Sequence, residues 1–312
     1  MNDGQNIPVL EVSGLSVSFQ MYDKILEQKE LQVISELDIK VYAGEILAIA
    51  GSSGSGKSLL VSAILGILPE NARVSGKIRY NGHMLTPELQ RQLRGTEIAL
   101  VPQSVDFLDP LMKAGVQADG HRKPYPSQKR RALFRRFGLP EETEKRYPFQ
   151  LSGGMARRVL VSTALITDAQ LIIADEPTPG MSLEQALEAL RMFREMADDG
   201  KAVVLITHDI DLAFAFADRI AVFYAGTTVE TASARDFQAG PDALRHPYSK
   251  ALWRALPQNG FEPIDGTQPY AGSLPRGCLF APRCSRSTPK CVQEVPSMRT
   301  LRSGEVRCFY AE

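Results

Sequence analysis

The sequence predicts an α/β fold built around a buried, largely parallel sheet, and three observations carry that reading. Short apolar runs recur along the chain, as EILAIA (45–50), EIALVPQ (97–103), LIIADEP (171–177) and AVVLITH (202–208). Each has the length of a strand covered on both faces, and each gives way to glycine or to a polar or charged residue, at the end of the strand where ligands of α/β proteins gather. Between two of them, residues 181–198 (MSLEQALEALRMFREMAD) place apolar residues three and four apart, the spacing of an amphipathic helix. Ahead of them, VLEVSGLSVSF (9–19) and LQVISELDIKV (31–41) mix alternation with β-branched residues, which predicts further strands.

The remaining elements follow in order. Residues 59–68 (LLVSAILGIL) read as a helix after the first apolar run. Residues 102–150 turn polar and helical, with the basic stretch HRKPYPSQKRRALFRRFG at the centre, and predict a helical insert between two core strands. For the basic residues of 121–136, a solvated helical face is the expected state rather than a membrane or phosphate patch. Beyond residue 256, PQNGFEPIDGTQPYAGSLPRG is rich in proline and glycine and reads as a linker or loop, and a short cysteine-bearing tail follows. No internal repeat or low-complexity tract is present.

Composition narrows the function classes. The 312 residues are 44% hydrophobic and 23% charged, enough for one large core and an appendage. Thirty-six basic residues balance 36 acidic ones, which gives no support for a non-specific nucleic-acid binder. No apolar run approaches the roughly 20 residues that cross a bilayer, and the start, MNDGQNIPVLEV, lacks a signal-peptide pattern. The expectation is a cytosolic chain that meets a membrane only through partners.

Gly51-Ser52-Ser53-Gly54-Ser55-Gly56-Lys57-Ser58 fits the G-x-x-x-x-G-K-[ST] pattern, between a predicted strand and a predicted helix. Glycines let successive N–H groups turn toward phosphate oxygens at the positive end of a helix. Lys57 brings charge to the β- and γ-phosphates and Ser58 a hydroxyl to Mg²⁺. The loop alone predicts only a nucleotide site. Asp175 and Glu176 close an apolar strand, where an aspartate can hold Mg²⁺ and a glutamate can polarise an attacking water. His208 ends the neighbouring predicted strand and is a candidate γ-phosphate contact.

Leu151-Ser152-Gly153-Gly154-Met155 completes the set. With the phosphate loop, Gln103, Asp175–Glu176 and His208 in order, residues 8–256 resemble an ABC ATPase. The resemblance implies a P-loop NTPase (RecA-like) core that binds ATP and Mg²⁺, an antiparallel β subdomain, a helical signature subdomain over about 104–168, and a head-to-tail dimer with ATP sandwiched at its interface. It implies that Ser152, Gly153 and Gly154 serve the nucleotide held by the partner, and that Gln103 touches Mg²⁺ and reports nucleotide state to a membrane subunit. Phe19 is the candidate for stacking on adenine, with Tyr22 its rival and burial in the sheet the plain alternative.

The tail narrows the resemblance. His246-Pro247-Tyr248 followed by SKALWRALP is similar to the segment that marks ATPases of oligopeptide, dipeptide and nickel importers. All four cysteines lie beyond residue 277, as Cys278, Cys284, Cys291 and Cys308, spaced C-x5-C-x6-C-x16-C. Four thiolates suit either zinc or an iron–sulfur cluster, with free thiols the remaining alternative. The wide spacing favours the cluster over zinc knuckles, and in that family such a tail, here residues 257–312, carries a four-iron four-sulfur cluster.

The resemblance implies an importer motor at the cytoplasmic face of the membrane, with a second ATPase subunit, two transmembrane permease subunits and an extracytoplasmic substrate-binding protein, and no nucleic acid. Peptide, nickel or a metal chelate stand as substrates. The alternative is a soluble ABC ATPase acting on nucleic acid or the ribosome, which usually has two cassettes or a coiled-coil insert. A catalytically silent partner is disfavoured by Glu176 and His208. One departure stands out. The family continues its acidic motif to an aspartate where this chain has Ser182, after Pro179-Gly180, which implies unequal ATP sites and an unlike ATPase partner.

Overall fold

The structure, a computed structural model, describes residues 7–22, 28–52, 54–119 and 127–312. They form two compact units. The first comprises residues up to 9, 41–46 and 86–207, and the second 10–40, 47–85 and 208–312.

In the first unit, strands Ile98–Val101, Leu171–Asp175 and Ala202–Ile206 pair in parallel, with Ile98 opposite Leu171 and Leu171 opposite Ala202. Every residue of the last two is buried, as the unbroken apolar runs predict. Helix Gly153–Leu165 packs on the first strand and helix Leu183–Asp198 on the third. The latter buries Ala186, Ala189, Leu190, Phe193 and Ala197, the stripe expected from its periodicity. Ser182 caps it: its hydroxyl accepts from Gln185 N at 3.4 Å, and the Gln185 side chain accepts from Ser182 N at 3.3 Å. That capping box is work a serine does as well as an aspartate.

The helical insert is real but fragmented, into helices Ala114–Ala118 and Ser127–Arg136 and single 3₁₀ turns. Residues 121–126 of the basic stretch lie outside the described residues. In the rest, Arg130 is buried between Asp119 and Glu144, and Arg136 pairs with Glu188 at 2.7 Å and Glu195 at 2.8 Å. Much of this charge is therefore spent within the unit.

The second unit holds an antiparallel sheet in the order Gln28–Val41, Leu10–Tyr22, Ala72–Tyr80, His83–Met84. It also holds a run in the order Arg299–Leu301, Gly304–Val306, Thr227–Ser233, Arg219–Tyr224, with residues 47–51 parallel to the last. The strands after residue 50 in this unit are not among those read from sequence. Ala72–Tyr80 is mostly exposed and interrupted by Ser75-Gly76, whereas Thr227–Ser233 is polar in composition yet almost wholly buried. The signal that does exist is RIAVFY, an apolar run like the other core strands.

The predicted linker is an ordered strap. Ile264 and Leu274 pack against a core that includes Tyr224, Tyr248 and Phe280, and Arg283 donates to Ile264 O at 2.9 Å and Asp265 O at 2.7 Å. Ring centroids lie 4.5 Å apart for Tyr224–Tyr248 and 5.4 Å for Tyr248–Phe280. Two polar knots fix the tail. Glu230, fully buried, accepts from Arg245 N and His246 N at 2.8 Å each, with the Arg245 guanidinium 3.4 Å away. Arg307 donates to Glu36 O at 2.7 Å and Pro296 O at 3.2 Å and forms an ion pair with Asp38.

His246 caps helix Pro247–Arg254, its Nδ1 accepting from Tyr248 N at 3.0 Å. Burial drives its pKa down to about 3, against about 6.5 in an unfolded chain. The unfolded state therefore takes up a proton that the fold refuses, so stability falls as pH drops from about 6.5 toward 3, by about 2 kcal/mol at pH 5. His246→Asn keeps a capping acceptor and should flatten that slope in urea titrations at pH 7 and pH 5. An unchanged slope would reject His246 as its source. Among the described residues no helix is long and apolar enough to cross a membrane.

Candidate nucleotide site and cysteine pocket

In the second unit the chain leaves the buried strand Ile46–Gly51, turns through the phosphate loop and enters helix Lys57–Leu65. Gly56 caps that helix at φ 94, a left-handed backbone that a side chain would strain. Lys57 folds over the loop, its Nζ donating to Gly51 O at 2.8 Å and Ser52 O at 3.0 Å. Ser58 is exposed, and the Ser55 hydroxyl is buried without a hydrogen-bond partner. Ser53 lies outside the described residues. Ser52 is held by the tail: its hydroxyl donates to Gln268 Oε1 at 2.5 Å, and its side chain interacts with the Tyr248 hydroxyl. Sequence reading misses Gln268, because a glutamine in a Pro/Gly-rich run carries no pattern. Phe19 is half-buried on strand Leu10–Tyr22 opposite Ala72; the Tyr22 side chain is outside the described residues. His208 is exposed, immediately before the Asp209 cap of helix Ile210–Phe216.

The first unit brings Gln103, the signature and the acidic strand together. Ser152 caps helix Gly153–Leu165, its hydroxyl accepting from Met155 N at 3.3 Å. Gly153 has open space around it, whereas a Cβ on Gly154 would lie 3.1 Å from Gly180 O. Gly180 itself has φ 81, so the Pro179-Gly180 turn passes close to the signature in a conformation that favours glycine. Asp175 and Glu176 are buried at 6% and 7% exposure, and Glu176 N donates to Ile206 O at 2.9 Å. Glu176 sits at φ 49, left-handed backbone in a non-glycine residue, a strain typical of functional positions. Gln103 is exposed where the chain departs from strand Ile98–Val101. Behind it lies Arg157, whose guanidinium donates to Pro102 O at 3.0 Å and to Gln103 O.

Cys278, Cys284, Cys291 and Cys308 are free of disulfides and line one cavity with His246, Phe280 and Arg286. The space they share is narrow, about 20 Å³. Burial raises Cys278 to about 11 and lifts Cys284 and Cys308 as well. Among the described residues no group of three or more His, Cys, Asp or Glu side chains is arranged to hold a metal ion. The donor set, four thiols around a shared space, fits a soft-metal or iron–sulfur group in its chemistry.

Comparison with known proteins agrees with this anatomy. A family profile described as ABC transporter matches residues 34–179, and one described as oligopeptide/dipeptide transporter, C-terminal region, matches residues 229–291. The chain is 35% identical over 324 residues to dipeptide transport ATP-binding protein DppD of Bacillus subtilis (strain 168), covering 96% of this chain and 94% of that protein. It is 33% identical to DppD of Escherichia coli (strain K12), with 97% and 96% covered. In fold it is similar to an ATP-binding cassette solved as a dimer in a post-hydrolysis state with ADP and Pi, at a TM-score of 0.64 and 23% identity, covering 72% of this chain and 99% of that one. A solved ATP-binding subunit of an ABC transporter gives a TM-score of 0.61 at 24% identity, covering 74% and 92%. Fold and motifs together define an ATP-hydrolysing cassette. The chain belongs to the ABC transporter ATPases, in the branch with the oligopeptide/dipeptide C-terminal region.

Proposed function

We propose that this chain is the ATP-hydrolysing subunit of an ABC importer that drives uptake of short peptides from the cytoplasmic face of the membrane. The observation that carries this reading is likeness to dipeptide transport ATP-binding proteins over 96% of the chain, tail included. Residues 8–256 are the cassette and 257–312 its extension. Lys57 and the loop N–H groups hold the β- and γ-phosphates of Mg-ATP, with Phe19 on adenine and Ser58, Gln103 and Asp175 toward Mg²⁺. Glu176 polarises the water that attacks the γ-phosphorus, His208 contacts the γ-phosphate, the bond to ADP breaks, and the water's proton leaves through Glu176. Ser152, Gly153 and Gly154 present N–H groups to the nucleotide of a second ATPase subunit. We propose a different chain for that subunit: Ser182 keeps the helix cap but lacks the carboxylate that the family places there. Two permease subunits and an extracytoplasmic binding protein complete the machine.

Cys278, Cys284, Cys291 and Cys308 hold a four-iron four-sulfur cluster. Such a cluster supplies four metal–thiolate bonds that cross-link a segment with little core of its own. The four thiols lining one space support this reading.

Two measurements test the reading. Hydrolysis by the assembled complex should rise with peptide-loaded binding protein; stimulation by nucleic acid instead would overturn it. Chain purified without oxygen should be brown, with about four irons each. A colourless preparation carrying one zinc would refute the cluster and leave the importer standing.

A further inference from the structure

Arg157 is a cation where a helix of this kind needs none. It lies one turn into helix Gly153–Leu165, on the buried side, with 7% of its surface exposed. Burying an arginine is costly unless its charge and N–H groups are used. Here Nη1 donates to Pro102 O at 3.0 Å and Nη2 to Gln103 O, two successive carbonyls at the point where the chain leaves strand Ile98–Val101. Its Nε is buried without a hydrogen-bond partner, so the fork geometry is kept although one donor goes unsatisfied. Burial works against the charge, and the carboxylates of Glu176 and Asp175 favour it. One guanidinium thus belongs to the helix that Ser152 opens, grips the backbone of Gln103 and lies in the field of the acidic strand end.

A purely structural staple needs only to join helix to strand, and one hydrogen bond from a shorter side chain would serve. Arg157 instead holds two successive carbonyls, Pro102 O and Gln103 O, one on each side of the Gln103 Cα, which restrains both peptide units there. We propose that Arg157 is a positioning residue for hydrolysis: it fixes the peptide of Gln103, and so the reach of the Gln103 side chain, to the helix that begins at the signature. Movement of that helix and the setting of Gln103 are thereby one event. The inference deepens the function proposed above and rests on the assignment of Gln103 to the nucleotide site.

A double-mutant cycle tests it in the full-length chain assembled with its partner subunits. Arg157→Met should lower kcat about tenfold while KM for ATP stays within about twofold, because the phosphate loop is untouched. Arg157→Lys, which keeps the charge but not the fork, should fall between Met and wild type. In a Gln103→Ala background, Arg157→Met should change kcat by less than about twofold, since its effect passes through Gln103. If Arg157→Met does not assemble, the same cycle is run with Arg157→Lys. Fully additive losses, or wild-type kcat in both Arg157 variants, would overturn the proposal while sparing the assignment of Gln103. Wild-type kcat in Gln103→Ala would instead sink that assignment and the proposal with it.

Discussion

Glu176→Gln is expected to reduce ATP hydrolysis by about 10²–10⁴-fold while ATP binding changes by no more than a few-fold. The substitution is nearly isosteric and removes only the capacity to take a proton from water. The fold commits strongly to this position. Glu176 directly follows a fully buried strand, its amide is tied to Ile206 O at 2.9 Å, and its backbone is held at φ 49. A left-handed non-glycine residue costs on the order of 1–3 kcal/mol, a strain that persists when the surroundings over-determine it. Single-turnover hydrolysis and nucleotide binding, measured side by side, separate the two effects. A variant that keeps more than a tenth of wild-type hydrolysis would remove Glu176 from the chemistry.

The second large effect is on stability. Glu230→Ala should destabilise the chain by about 3–5 kcal/mol, because it strands a buried cation. Glu230 is fully buried and Arg245 nearly so, and the glutamate answers two backbone N–H groups besides the guanidinium. Arg245 keeps Asp236 at 2.9 Å, which softens the loss without replacing the backbone contacts. It also donates to Leu301 O, so the change should loosen the hairpin Arg299–Leu301/Gly304–Val306. Urea unfolding gives the magnitude, and proteolysis locates the loosening. A shift below about 1 kcal/mol would show that the pair does not hold the tail.

The core strands and the amphipathic helix were legible because their burial is written as period and apolar run length. Ile98–Val101, Leu171–Asp175 and Ala202–Ile206 fall where the runs predict. The phosphate loop and signature were legible because the required residue types come in a fixed order. What the sequence hid depends on partners far along the chain. Thr227–Ser233 is polar, yet it is buried between Arg219–Tyr224 and Gly304–Val306, with Glu230 answered by Arg245 and His246. The run 257–276 reads as a linker because its order comes from Arg283 and a few half-buried apolar residues. Arg157 has no signature of its own, since a charge inside a helix pattern says nothing about the carbonyls it will meet. Ser182, a departure when read against the family, has a capping role that only the geometry reveals.

The Arg307 contacts have a meaning for the order in which the second unit assembles. Its hydrogen bonds to Glu36 join residues 271 positions apart. Contacts of such sequence separation must wait for the intervening chain to be made and arranged, and they form late for that reason. Strand Gln28–Val41 therefore acquires its guanidinium partner only after the tail has emerged and folded back. Arg307 thereby closes a loop that runs through most of the chain.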